Sequence, residues 1–203
     1  LQPMTPQEIS QLRRWTPEQM GQRVVRHAEL QWSSRALLDA ALPGCGAQLA
    51  PVIGLGLSQD RDQQAPIGNA HGFSIEWLKI PAGGQVSLHR LACQQVLTVH
   101  RGAVAIEVSD QAPDTDDIES SMITSIANGH TEGWDSFAMP AHVWRRYRNM
   151  GQAEALLLLM TPGDARKTID WAPAVVSAAA AAGYAIDANG YFALKRFTDR
   201  SQR

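Results

Sequence analysis

The stretch Gly83-GQVSLHRLACQQVLTVHR-Gly102 decides how this chain folds. It is rich in β-branched and other apolar residues, it opens and closes on glycine, and it has the look of paired strands around a tight turn. His89 is followed two residues later by Leu91, and Gln95 comes four residues after that. Alternate residues of a strand share a face, so His89 and Leu91 project together. Of His89, Leu91 and Gln95, only His89 carries a side chain that commonly binds a metal.

The pattern extends outward from this stretch. From about 48 to 162 short apolar runs follow one another: LAPVIGLGL, FSIEWLKI, SFAMP, WRRYRN and EALLLLM. Gly, Pro, Asn and Asp punctuate them, which predicts a sandwich or small barrel. Residues 109–121 are acidic and turn-rich, and with 118–133 they read as an exposed loop between two barrel strands. Before the barrel, residues 1–47 read as a helical arm. Thr5-Pro6-Gln7-Glu8 and Thr16-Pro17-Glu18-Gln19 have capping-box chemistry with proline at the first helical position. They predict a short helix ending near Trp15 and a second from Pro17 to about Ala41, stopped by Pro43-Gly44. Residues 163–203 read as a helix and turn packed on the barrel. Thr168 or Asp170 is the expected cap, Pro173 lies in the first turn, and the alanine run ends at Gly183. A turn at 187–190 and a last strand over Tyr191–Phe197 complete the tail.

Composition narrows the function classes. The chain has 203 residues, 44% of them hydrophobic, enough for one full core with appendages. Net charge is −2, so neither nucleic acid nor a membrane surface is an expected partner. The longest apolar runs fall short of the roughly 20 residues that cross a bilayer. Two cysteines, Cys45 and Cys93, make neither a disulfide framework nor a metal knuckle. With a polar N-terminus, a reducing cytoplasm is the expected location. Dinucleotide, phosphate-loop, Cys-x-x-Cys and nucleophile-elbow motifs do not occur.

Gly83-x5-His89-x-Leu91-x3-Gln95-x6-Gly102 resembles the first motif of the cupin superfamily, which has His, His and Glu at the three inner places. Trp134-x5-Pro140-x-His142-x2-Arg145-x3-Asn149 fits the spacing of the second, whose last ligand is a histidine. Gly83, His89, Gly102, Pro140 and Asn149 are kept. The second His, the Glu, both glycines of the second motif and the last His are replaced. The resemblance covers about 70–162, and HGFSIEWLKIPAGG and TPGDARKTIDWAPAVV are similar to a subgroup of single-barrel cupins. It implies a mainly β, double-stranded β-helix (jelly-roll) barrel and a homodimer paired through its sheets. It also implies a degenerate metal site, because the structural residues survive while the ligand places change.

A divalent ion needs imidazole nitrogens and carboxylates. Leu91 offers neither, Gln95 offers a neutral amide, and Arg145 brings a permanent positive charge. No resident metal or other cofactor is therefore expected, unless His71, His100 or His142 rebuilds a site with His89. His89, Leu91, Gln95, Arg145 and Tyr147 should face the lumen, joined by Trp77 if its strand is in register. Apolar walls with a few convergent polar groups make a small-molecule site. A buried arginine needs an acceptor, either a carboxylate or phosphate ligand or an internal partner, Glu76 or Glu107. The leading expectation is a small anionic metabolite in the barrel. One alternative is a cupin enzyme (dioxygenase, lyase or isomerase), with an unorthodox metal or with His89 in acid–base catalysis beside Arg145. Another is a structural oligomerisation module.

Overall fold

The computed structural model describes residues 3, 5–7, 15–68, 71–111, 119, 121–131 and 133–198. Nine strands make one curled antiparallel sheet: β1 (Gln48–Ile53), β2 (Phe73–Ile80), β3 (Gln85–Leu91), β4 (Gln95–Ser109), β5 (Ile123–His130), β6 (Gly133–Met139), β7 (Trp144–Asn149), β8 (Ala155–Pro162) and β9 (Ile169–Trp171). Their order is β1-β2-β8-β4-β7-β3-β9, with β5 and β6 attached to β4. The sheet folds over on itself because β4 belongs to both walls. Its first half pairs with β6 and β8, and its second half with β5 and β7. The handover falls at Gly102, whose φ of 94° lies where side-chain-bearing residues are strained. A Cβ there would also stand 3.0 Å from the Ala155 Cβ. The kept glycine is thus the corner that lets one strand serve two walls.

The inner faces meet in a dry core. Leu78, Ile80, Leu97, Val99, Val104, Ile106, Leu157 and Leu159 are buried there. Emptying one such site, as in Leu159→Ala, costs about 2–5 kcal/mol. Asn149 shows why the second motif keeps its asparagine. Its Nδ2 donates to the carbonyls of Ile80, Pro81 and Ala153, and its Oδ1 accepts from the Gly151 N–H. One side chain ties the β2–β3 turn to the β7–β8 turn.

Several expectations fail outside the motifs. The second N-terminal helix is only α1 (Pro17–Gly21), with the Thr16 capping box formed as read. Short 3-10 turns follow at His27–Glu29 and Leu38–Ala41. Between them Ser33 exchanges backbone hydrogen bonds with Leu49, and Gln63 Nε2 donates to the Gln31 carbonyl at 2.7 Å. The arm is stretched along β1, and these tertiary bonds override helix propensity. The first predicted helix lies mostly outside the described residues. Residues 118–133 are not simply loop, because β5 runs through 123–130 against β4. Much of the acidic loop, 112–118, lies outside the described residues.

In the tail, neither Thr168 nor Asp170 caps a helix. Residues 169–171 are β9, paired with β3, and α2 (Pro173–Ala181) starts after Ala172. Gly183, at φ 87°, ends it as read. The last strand is shorter than expected: β10 (Tyr184–Ile186) pairs with β11 (Phe192–Leu194), and α3 (Lys195–Thr198) follows. Among the described residues no helix is long and apolar enough to cross a membrane.

Candidate functional site

Strands β9, β3 and β7 run side by side, with His89 opposite both Trp171 and Arg145. Residues directly opposite in an antiparallel ladder point the same way. A row Trp171–His89–Arg145 therefore crosses the inner face. Tyr147 follows Arg145 two residues along β7, and its hydroxyl donates to Gln95 Oε1 at 2.8 Å, which ties β7 to the start of β4. His89, Leu91, Gln95, Arg145 and Tyr147 are each no more than 1% exposed. The structure thus brings together five of the six expected lumen residues.

Trp77 is the exception. On β2 the inward residues are Ser74, Glu76, Leu78 and Ile80, all buried. Trp77 points outward and packs between His27 at 5.8 Å and His100 at 5.4 Å, ring centre to ring centre. The strand carries apolar residues on both faces, so its hydrophobic pattern does not choose between them, and the register is one residue away from the expected one.

Arg145 donates to carbonyls and lies against the Tyr147 hydroxyl. Its Nη2 donates to Pro140 O at 2.8 Å and its Nε to Val143 O at 3.4 Å, while Nη1 is buried without a partner. Neither expected internal partner reaches it. Glu76 takes the Leu57 N–H on both oxygens, and Glu107 lies on the outer face between Arg146 and Arg148. Gln95 Nε2, Trp171 Nε1 and Thr161 Oγ1 are also buried and unpartnered. Thr161 lies one position beyond the Val96–Met160 pair, at the level of Gln95. Unpaired polar atoms are therefore concentrated at one end of the lumen.

Burial sets the charge states around this row. It pushes the His89 imidazole down to about 3, against the bond to Ser87 O and with help from the Arg145 charge. The 2.8 Å contact from His89 Nδ1 is to a carbonyl, which only accepts, so Nδ1 carries the proton and Nε2 is an acceptor. Burial raises Glu76 to about 8 against the Leu57 N–H bonds, and raises Tyr147 to about 12 against the nearby Arg145.

These donors do not fit a transition metal. His89 supplies one imidazole nitrogen, Leu91 supplies nothing, Gln95 Oε1 is already bonded by Tyr147, and Arg145 is a cation. The other histidines do not rebuild a site. His100 lies on the outer face against Trp77 and Trp134, and His71 packs at 5.9 Å from Phe73. His142 forms the turn before β7, donating its backbone N–H to Leu91 O at 2.9 Å. Its φ of 65° is the left-handed geometry that a glycine would supply there. Among the described residues no three His, Cys, Asp or Glu side chains group as metal ligands.

Sequence reasoning missed Trp171 and Thr161. Trp171 was hidden by reading 168–173 as a helix start, although the alternation Ile169–Asp170–Trp171 is that of a short strand. Thr161 closes an apolar run and carries no signal of its own. Also unforeseen is a buried cluster beneath β3, where Asp39 Oδ2 accepts the Ser87 N–H at 2.5 Å and Cys45 Sγ lies 3.3 Å from Ser87 Oγ.

No family model matches the chain, and no curated protein matches it by sequence. Solved structures do match by shape. A cupin-2 domain protein of Rhodospirillum rubrum aligns over 76% of this chain and 83% of its own, with TM-score 0.51 and 13% identity. An RmlC-like cupin of Shewanella frigidimarina aligns over 70% and 90%, with TM-score 0.44 and 14% identity. A recombinant oxalate oxidase in complex with glycolate aligns over 65% of this chain and 57% of that one, with TM-score 0.46 and 13% identity. The chain thus spans less than two thirds of the oxalate oxidase, and identities this low speak to fold alone. With the two motif turns, the shared β4 and the first of these matches, the chain has the cupin fold.

Proposed function

We propose that the chain is a metal-free cupin that binds a small anion in its barrel, as a sensor, carrier or accessory protein. The observation that carries this is Arg145: fully buried, without a carboxylate partner, and with one guanidinium nitrogen unpaired. A buried charge without a counter-charge costs several kcal/mol. An anion at Nη1 supplies the missing charge and the missing acceptor together. Gln95 Nε2 is a second donor for it, and His89 Nε2 is an acceptor that orients a protonated group. His89 stays neutral across the physiological range, which favours this orienting role over that of a general acid.

The test is elemental analysis of protein purified without added metal, joined to a thermal-shift screen of carboxylates and phosphate. The expected outcome is no stoichiometric metal and a rise in melting temperature with at least one anion. One equivalent of Fe, Zn, Mn or Ni, lost on His89→Ala, contradicts the proposal.

The proposal includes a homodimer. Val96, Ile126 and Trp134, on the neighbouring strands β4, β5 and β6, are exposed apolar side chains that a second copy would cover. Light scattering that shows a monomer at micromolar concentration removes it.

A further inference from the structure

We infer that the bound anion is a small monocarboxylate, and that Trp171, supplied by the segment beyond the barrel, is its third donor beside Arg145 and Gln95. This rests on the lumen being an anion site. Of the buried side-chain atoms without partners, three that belong to this row and to Gln95 beside it, Arg145 Nη1, Gln95 Nε2 and Trp171 Nε1, are N–H donors; the others are Thr161 Oγ1, Asp39 Oδ1 and Arg166 Nε. Trp171 and Arg145 flank His89 on the same face, and the Trp171 ring centre is 5.4 Å from that of His89. Gln95 joins them through Tyr147, whose ring centre is 5.5 Å from His89 on its other side. A ligand that answers three donors must be rich in acceptors.

Charge fixes the class further. Arg145 is a permanent cation of this inner face; the ionisable groups against it are His89 and Tyr147, Glu76 lies elsewhere on the inner face, and Asp39 and Cys45, beneath β3, are also held towards their neutral forms by burial. Burial keeps His89 unprotonated and raises Glu76 and Tyr147, so near neutral pH the net lumen charge is close to that of one guanidinium. A monoanion balances it. A dianion leaves one charge uncompensated in a closed site. Arg145 has already committed Nη2 and Nε to carbonyls, so it meets the ligand through Nη1 alone. One carboxylate oxygen takes Nη1, which leaves the second for Gln95 or Trp171.

The experiment is calorimetric titration in halide-free buffer of formate, acetate and lactate, and of malonate, phosphate and chloride, into the wild type and Trp171→Phe. Phenylalanine keeps a ring against His89 and removes the N–H. The expected result is one-to-one binding of a monocarboxylate, with malonate, phosphate and chloride about tenfold weaker or more. Trp171→Phe should weaken the monocarboxylate by about tenfold. Equal or tighter binding of malonate, phosphate or chloride overturns the monocarboxylate, while the anion site stands. Unchanged affinity in Trp171→Phe overturns the role of Trp171. If no anion binds the wild type, the anion site itself fails. Should Trp171→Phe not fold, proton–nitrogen NMR of the wild type decides. Acetate should move one buried indole N–H signal downfield, and no movement of any indole signal overturns the role.

Discussion

Strand β7 carries three arginines, and its two faces treat them differently. Outside, Arg146 bonds Glu107 at 2.7 Å and Glu119 at 2.8 Å, and Arg148 bonds Glu107 at 2.7 Å. Burial alone would push Glu107 up, but the bonds from Arg148 and Arg146 outweigh it and hold the carboxyl below its usual range. Inside, Arg145 bonds carbonyls and lies against the Tyr147 hydroxyl, and its ionisable neighbours His89 and Tyr147 are kept uncharged by burial. The outer arginines are satisfied by the chain itself. The inner one has no carboxylate partner among the described residues, which is the ground for proposing an anion there. Neighbouring residues of one type can serve opposite ends, and strand parity decides which.

The largest effect that could break this contrast comes from substituting each face in turn. Glu107→Ala leaves Arg146 with Glu119 alone and Arg148 to solvent, and should cost about 1–3 kcal/mol of stability, read from the urea midpoint. Arg145→Met removes a buried cation with no carboxylate partner among the described residues and should leave the empty fold as stable as before or more stable, by up to about 4 kcal/mol. If the two cost the same, Arg145 has an internal partner and the two faces are alike.

The pH profile of stability sharpens the contrast. Glu76 is raised in the folded protein, so its contribution is full below its unfolded value of 4.5 and is lost as pH rises through about 8. His89 is depressed, so its contribution is full above 6.5 and is lost as pH falls towards about 3. The two slopes oppose each other between 4.5 and 6.5, which predicts a plateau there. From pH 6.5 to 8 the Glu76 slope remains, a loss of about 2 kcal/mol, and Asp39, also raised by burial, acts in the same direction. Denaturant titrations of the wild type and Glu76→Gln across this range check it. The variant should fall less than the wild type by about 2 kcal/mol, and an identical fall in both would remove Glu76 as the cause.

The smallest effect concerns the turn that launches β7. His142 holds a φ of 65° without being glycine. His142→Gly should stabilise the fold by up to about 1 kcal/mol, since the relieved strain exceeds the added chain entropy. A loss of stability would mean that the imidazole itself makes a needed contact.

The sequence was legible where geometry forces a residue. Gly102 turns β4 between walls, Asn149 staples two turns, and Pro140 supplies the carbonyl that takes Arg145 Nη2. Parity on β3 and β7 followed from the motif spacing, so the inward placing of His89 and Arg145 could be read. Trp77 could not, because β2 is apolar on both faces and the outer one is covered by His27 from the N-terminal arm. The arm itself misled for a related reason. Its capping box forms, but backbone pairing of Ser33 with Leu49 outweighs helix propensity beyond Gly21. Trp171 reaches the row through a three-residue strand, too short for any periodicity to mark.

The central claim is that Arg145 waits for an anion. The melting temperatures of the wild type and Arg145→Met, each with and without a small monocarboxylate, test it most directly. At about a hundredfold excess over its dissociation constant the ligand should stabilise the wild type by roughly 2–3 kcal/mol and the variant not at all, with the empty variant melting no lower than the empty wild type. An empty Arg145→Met protein that is badly destabilised, together with a wild type that ignores every carboxylate, would contradict it.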